Sequence, residues 1–299
     1  MKVAVTGASG LIGAAVTRSL QADGHEVVAM VRRPTTAENE AQWDPQGGTV
    51  ETDKFAGLDA LVHFAGAGFG DRRWTASYKR EVRDSRILGT RTIARAIASL
   101  DPLPKVMVSG SAIGYYGDTG DARVDETSPA GEGFAANVVR DWEAAAAPAS
   151  DAGIRVVHPR SGLVVARNGG AWGRMWPLFR VGLGGKLGNG NQYWSFVSLR
   201  DEVLAVRRMI GDNEMTGVYN VTAPNPATNE EITKAMGELL HRPTLATVPA
   251  FVLKTVLGEM ASEVLGGARV MPDRLNKAGF EFQDPTIEQA LNTAWTSTD

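Results

Sequence analysis

Thr6-Gly7-Ala8-Ser9-Gly10-Leu11-Ile12-Gly13 is the stretch on which the reading of this chain turns. It follows a short apolar run, Lys2 to Thr6, with the character of a buried strand. It leads into Leu11 to Asp23, where Leu11, Ile12, Ala15, Val16 and Leu20 fall on one side of a helix. Gly7 permits a tight turn, Gly10 lets the backbone approach a pyrophosphate, and Gly13 lets the helix lie close on the sheet. The free amides and the dipole at the helix start then favour phosphate. Three glycines at this spacing in a strand–turn–helix unit point to dinucleotide binding, with an ordinary strand-to-helix turn as the plain alternative.

Outward from the turn, Gly24 closes the helix and Glu26 to Val31 reads as a second strand. A cofactor without a 2′-phosphate is expected to meet an acidic residue there, about 20 residues past the turn. Arg32 and Arg33 stand in that place instead. A guanidinium can take a phosphate through two parallel hydrogen bonds, so the expected cofactor is NADP(H) rather than NAD(H). Trp43-Asp44, at the end of the next strand, could flank an adenine or form a plain surface turn.

Strands are expected at Asp59 to Phe64, Lys105 to Ser109, Ile154 to His158 and Gly217 to Val221. Helical spacing recurs over Tyr78 to Leu100 and from Phe134 through Val138 and Trp142 into Ala147. This alternation predicts an α/β fold with a doubly wound parallel sheet, a Rossmann arrangement. From Gly162 to Gly190 nine glycines sit among few periodic positions, which predicts a long loop over a cleft. Thr228 to Leu240, Phe251 to Val264 and Pro285 to Trp295 look helical, and Asn229 is followed three residues later by Ile232 rather than by a capping-box partner. The expected organisation is a cofactor-binding domain over residues 1–165, with return strands within about 194–222, and a smaller helix-rich substrate domain over 166–299.

Composition narrows the function classes. The chain has 299 residues, 34 of them glycine and none cysteine, which excludes disulfides, thiolate catalysis and cysteine-held metal or iron–sulfur sites. Lys and Arg total 31 against 34 Asp and Glu, a net charge of -3, so neither nucleic acid nor an anionic membrane is an expected partner. No apolar run approaches the ~18 residues of a membrane helix, and Met1 leads straight into a strand rather than a signal peptide. A cytoplasmic location is the expectation. The four histidines show no metal spacing, and no metal site is expected.

Longer motifs carry a resemblance. These are His63-Phe64-Ala65-Gly66; Arg73-Trp74-Thr75; Asp84-Ser85-Arg86; Ser109-Gly110-Ser111-Ala112-Ile113-Gly114-Tyr115-Tyr116-Gly117; Trp142-Glu143; Pro159-Arg160-Ser161-Gly162; Gly182-Leu183-Gly184-Gly185; Asn220 to Pro226; and Gly279-Phe280. With the first turn, they make the whole chain resemble the extended short-chain dehydrogenase/reductases, in an atypical epimerase-like branch usually labelled nucleoside-diphosphate-sugar epimerases. The resemblance implies that Gly7, Ser9, Gly10, Leu11, Ile12 and Arg32, with Arg33 beside it, bind the cofactor's phosphates. It implies that Phe64, Ala65 and Gly66 line the adenosine and ribose side, and that Ser109 and Gly110 approach the nicotinamide ribose. Pro159, Arg160 and Ser161 would meet the nicotinamide amide, and Ser111 would orient a substrate oxygen. Relatives commonly dimerise through two long helices, here Tyr78 to Leu100 and Phe134 to Ala149, although Arg80, Arg83 and Arg95 could equally keep the first one solvated.

The departures are as informative. The superfamily's proton transfer relies on Tyr-x-x-x-Lys, in which the ammonium lowers a phenol pKa from about 10. The corresponding helix here reads Phe134-Ala135-Ala136-Asn137-Val138-Val139-Arg140, and no tyrosine in the chain is followed four residues later by lysine. Ser111 with Tyr115 or Tyr116 is the remaining catalytic candidate, as a hydroxyl donor to a carbonyl oxygen. Two readings of function remain. One is an NADP(H)-dependent oxidoreductase or epimerase acting on a small carbonyl or sugar-nucleotide substrate; the other is an NADP(H)-binding sensor or regulatory protein without turnover.

Overall fold

A computed structural model describes residues 1–297. Along the first half run β1 (Lys2–Thr6), α1 (Leu11–Ala22), β2 (Glu26–Val31), β3 (Glu40–Asp44), β4 (Thr49–Val50), β5 (Ala60–His63), α2 (Ala76–Ala98), β6 (Val106–Ser109), β7 (Ser111–Ala112), β8 (Arg123–Val124), α3 (Phe134–Ala144), α4 (Ala147–Asp151) and β9 (Arg155–Ser161). The second half adds β10 (Leu163–Val165), α5 (Gly170–Arg180), β11 (Gly185–Leu187), β12 (Tyr193–Trp194), β13 (Phe196–Ser198), α6 (Leu199–Gly211) and β14 (Gly217–Val221). It ends with β15 (Ala227–Thr228), α7 (Asn229–Leu240), β16 (Ala246–Val248), α8 (Ala250–Leu257), α9 (Ala261–Leu265), β17 (Arg269–Val270), α10 (Asp273–Lys277) and α11 (Ile287–Thr296).

The main sheet is ordered β14-β9-β6-β5-β1-β2-β3-β4, with β7 also paired to β9. Every pairing is parallel except β3 with β4. Both faces are covered. On one, α1 and α6 pack over a core that includes Val3, Val5, Val16, Leu20, Val206 and Met209. On the other, α2 and α4 lie over Ala4, Val28, Leu61, Ile93, Ile97 and Met107. Strands buried on both sides need not alternate, which is why β1, β5 and β6 read as continuous apolar runs. The chain winds outward from β1 through β2 and β3, then returns through β5, β6, β9 and β14. The order therefore reverses between β1 and β5, the place where such sheets open a ligand crevice at their carboxyl ends.

The glycine-dense segment differs from the sequence reading. It holds β10, α5 and β11 rather than one long loop, and Trp172, Trp176 and Phe179 of α5 are buried in a third core with α7 and α11. Phe251 to Val264 is likewise not one helix: α8 ends at Gly258, where φ is 62°, and α9 follows a short 3-10 turn. The capping box of α7 is present one residue earlier than read, with Thr228 as N-cap and Glu231 as its partner. Of Trp43-Asp44, Trp43 is buried with its ring edge-on against His63, while Asp44 is exposed and opens a surface turn in which it accepts the Gly48 amide.

Candidate cofactor cleft and substrate cavity

Beyond β1, the backbone turns at Gly7, where φ is 67°, and the Gly10 amide donates to the Gly7 carbonyl at 2.8 Å. A Cβ on Gly7 would stand 2.9 Å from the Ala65 nitrogen, and one on Gly13 only 2.2 Å from the Gly7 oxygen. Side chains are thus excluded where the turn, the helix and the end of β5 meet. Ser9 and Gly10 are exposed at the lip, followed by Leu11 and Ile12 in the first turn of α1. That helix has no capping side chain and no acidic residue in its first turn. Its first amides, which have no intrahelical acceptor, are left for an anion. Phe64, Ala65 and Gly66 face them from the end of β5, where Ala65 donates its amide to Thr6 Oγ1 at 3.2 Å.

The two arginines after β2 do different things. Arg33 forks onto Glu40 at 2.9 and 2.5 Å, and these bonds, with the Thr36 amide, hold the Glu40 carboxyl down at about 2. Arg32 is exposed and finds no protein partner among the described residues. Of the pair, Arg32 is the one with free donors.

At the other end of the cleft lies a buried polar chain. Ser111 Oγ donates to Glu143 Oε1 at 2.5 Å; Arg160 donates to both Glu143 oxygens at 2.8 and 2.9 Å and to the Tyr116 hydroxyl at 3.0 Å. Tyr116 in turn donates to Asn220 Oδ1 at 2.7 Å. Burial opposes a charge on Glu143, but the Arg160 hydrogen bonds and charge outweigh it and hold the carboxyl below its ordinary range. Burial pushes the Tyr116 phenol up to about 12.

Contacts inside this chain bear on several of the expected roles. The Tyr116 hydroxyl donates to Asn220 and accepts from Arg160, and only 2% of the residue is exposed. Tyr115 lies flat against Arg160, 3.4 Å from guanidinium carbon to ring centre, and acts as its cover. Ser111 gives its proton to Glu143, so toward the cleft it can accept a hydrogen bond but not donate one. The Arg160 guanidinium is committed inward and the Ser109 side chain is fully buried, leaving only backbone at those positions for a nicotinamide. Pro159 is buried and Gly110 packs under the Phe64 ring, while Ser161, half-buried, donates to Glu202 at 2.6 Å.

Next to Ala112 and Ser161 opens a cavity of about 290 Å³. The helix α3 presents Ala135, Val138, Val139 and Trp142 to it, the face on which Tyr-x-x-x-Lys is missing. Trp194 and Leu163 close the opposite wall, and two charged side chains, Arg86 and Glu263, border it. Arg86, Glu143 and Asn220 stood in motifs quoted from the sequence without any role; nothing in their spacing signals which of them turns inward. Among the described residues no group of three His, Asp or Glu side chains is placed to hold a metal.

Residues 3–222 match the NAD dependent epimerase/dehydratase family, and residues 248–294 match a domain of unknown function, DUF1731. The chain belongs to the epimerase/dehydratase family. An epimerase family protein of Mycobacterium leprae is 43% identical over 295 residues, which span 98% of this chain and 95% of that one. The crystal structure of human epimerase family protein SDR39U1 (isoform 2) with NADPH superposes with a TM-score of 0.90 at 34% identity, over 99% of this chain and all of that one. A nucleoside-diphosphate sugar epimerase from Corynebacterium glutamicum gives 0.81 at 34% identity, over 97% of this chain and 57% of the other.

Proposed function

We propose that this chain is an NADP(H)-dependent oxidoreductase of the epimerase-like branch, acting on a small carbonyl or the matching alcohol held in the cavity beside Ala112. The observation that carries the reading is the cofactor cradle: an uncapped α1 N-terminus behind side-chain-free glycines, with Arg32 unpaired at the end of the neighbouring strand. NADPH bound to the human relative supports the same choice of cofactor. The α1 amides would hold the pyrophosphate and Arg32 the 2′-phosphate, with Phe64, Ala65 and Gly66 along the ribose and the backbone of Pro159 to Ser161 beside the carboxamide. When bound, a nicotinamide supplies or accepts a hydride. Ser111, its hydroxyl hydrogen directed at Glu143, would accept from a substrate hydroxyl and fix the carbon beside it.

Fluorescence titration tests the cofactor assignment. Arg32→Ala is expected to weaken NADPH binding about 10- to 100-fold, the range for a charge-assisted pair, and to leave NADH binding unchanged. Equal loss of both cofactors would overturn the assignment of the 2′-phosphate to Arg32. One observation favours a second reading, a cofactor-binding regulator without turnover: Ser111 and Tyr116 both have their protons committed elsewhere. Steady NADPH oxidation with any of a panel of small carbonyls, lost when Val139 is replaced by a bulky residue that fills the cavity, decides for the enzyme.

A further inference from the structure

The Arg86 guanidinium is a feature of the cavity that the fold leaves unexplained. Its Nη1 donates to the carbonyls of Ala67 and Val82 at 2.9 and 3.1 Å, and its central carbon lies 5.1 Å from the Trp142 ring centre and 5.8 Å from that of Phe69. Its Nε and Nη2 have no protein partner among the described residues, neither is fully buried, and Arg86 borders the cavity. No carboxylate among the described residues is paired with it. Burial pulls this guanidinium down to about 10, so it remains a cation at neutral pH, half-buried among aromatic rings without a counter-ion. Other inward arginines of this protein are answered by a carboxylate or by several carbonyls: Arg160 by Glu143, and Arg155 by the carbonyls of Met209, Met215 and Ile210. A partly desolvated cation with two donors unused is costly to the folded chain unless something supplies the missing charge.

We propose that Arg86 anchors a carboxylate of the substrate, and that the substrate class is a small monoanion with an apolar body. This rests on the reading of the cavity as a substrate site. The free pair, Nε with Nη2, is the edge of the guanidinium that receives both oxygens of a carboxylate in parallel. A single cation and about 290 Å³ between Val138, Val139, Leu163 and Trp194 suit one negative charge and a short hydrocarbon or carbonyl-bearing skeleton. Glu263 borders the same cavity, and burial together with the Asp118 carboxylate raises its pKa. A second negative charge on the ligand would meet that carboxylate, which disfavours a phosphate dianion. The charge that the superfamily places on the α3 helix as lysine is here brought in from α2, and toward the substrate rather than toward a tyrosine.

The test uses the NADPH-loaded protein with unreactive probes: butanoate, 3-methylbutanoate and benzoate, each against its amide. Binding is followed by NADPH fluorescence and by the rise in Tm. The carboxylates are expected to bind and the amides to bind at least tenfold more weakly. Arg86→Met, which keeps the stem on Trp142, is expected to erase that difference, to bind NADPH as the parent does, and to melt no lower than the parent without ligands. Arg86→Lys, which keeps the charge but not the fork, is expected to lose at least tenfold for carboxylates and guards against a failure of the methionine variant to fold. Carboxylates and amides binding alike, no probe binding at all, or a variant retaining the full preference would each overturn the proposal. If Arg86→Met loses NADPH, Arg86 is a cofactor residue and the substrate class is wrong while the cofactor reading stands. If the parent itself does not bind NADPH, it is the proposed function that fails.

Discussion

Glu143 shows how one side chain can set the chemistry of several neighbours. It neutralises Arg160, which is only 4% exposed, and it accepts a hydrogen bond from Ser111. Glu143→Ala strands a buried guanidinium and is expected to cost about 3–5 kcal/mol in chemical denaturation, whereas Ser111→Ala, which removes one donor from a carboxylate still held by Arg160, is expected to cost about 1 kcal/mol. Comparable losses for the two would mean that Arg160 does not depend on Glu143. Glu202 makes a second residue-scale prediction. It is fully buried, bonded only through Ser161, and burial raises its pKa from 4.5 to about 7. The folded state therefore keeps a proton that the unfolded chain releases near 4.5. Stability from this group is lost as pH climbs from about 4.5 to about 7 and levels off above, a total of roughly 3 kcal/mol. Buried His63 and His158, whose pKa values are depressed, slope the other way, but they cancel when parent and variant are compared. Urea midpoints for Glu202→Gln are expected to gain on the parent progressively across that window; a pH-independent difference would refute the assignment. Little of this was legible in the sequence. Gly7, Gly10 and Gly13 announce themselves because a turn and a close approach admit no other residue. A serine, a tyrosine and an arginine near a strand end look the same whether they face a ligand or each other.

At the scale of elements, the sheet and its first helix follow from local pattern, because strands buried on both faces are uniformly apolar and α1 is amphipathic. The helix α5 does not. Gly170, Gly173 and Pro177 lower its intrinsic propensity, and Trp172, Trp176 and Phe179 at i, i+4 and i+7 are visible as a stripe only once something is there to receive them. Docking against α7 supplies the stability that propensity withholds. Trp172, 1% exposed, is the largest fully buried side chain. Trp172→Ala is expected to cost about 3–5 kcal/mol and to lower Tm with little change in NADPH affinity, since the cradle is formed by β1, β5 and α1. A small loss of stability would mean that α5 is held by its flanks instead.

Over the whole molecule, the second half of the sequence completes the first. The edge strand β14 and the covering helix α6 come after the β10–β13 excursion, and Val197, Val206, Met209, Ile210, Tyr219 and Val221 fill the same core as Val3 and Val5. A fragment of residues 1–165 would leave β9 unpaired on one side and that core open. It is expected to show no cooperative unfolding and to bind a hydrophobic dye, whereas the full chain should melt at a temperature that rises with NADPH concentration. A fragment that folds and binds NADPH would disprove this interdependence.

What the sequence determined by itself is whatever depends on neighbours along the chain: the strand–turn–helix cradle, the alternation that makes a doubly wound sheet, the arginines at the end of β2 and the missing tyrosine and lysine on α3. What only the tertiary structure decided is which polar groups are already used. Hydrogen bonds between separate segments engaged the hydroxyls of Ser111 and Tyr116 and both oxygens of Glu143, while a short-range fork onto Glu40 tied Arg33 and left Arg32 free. They also left Arg86 beside an apolar cavity without a counter-ion. The physical reason is that a side chain's availability depends on its partners and its burial, and both are set by contacts between segments that no local pattern encodes.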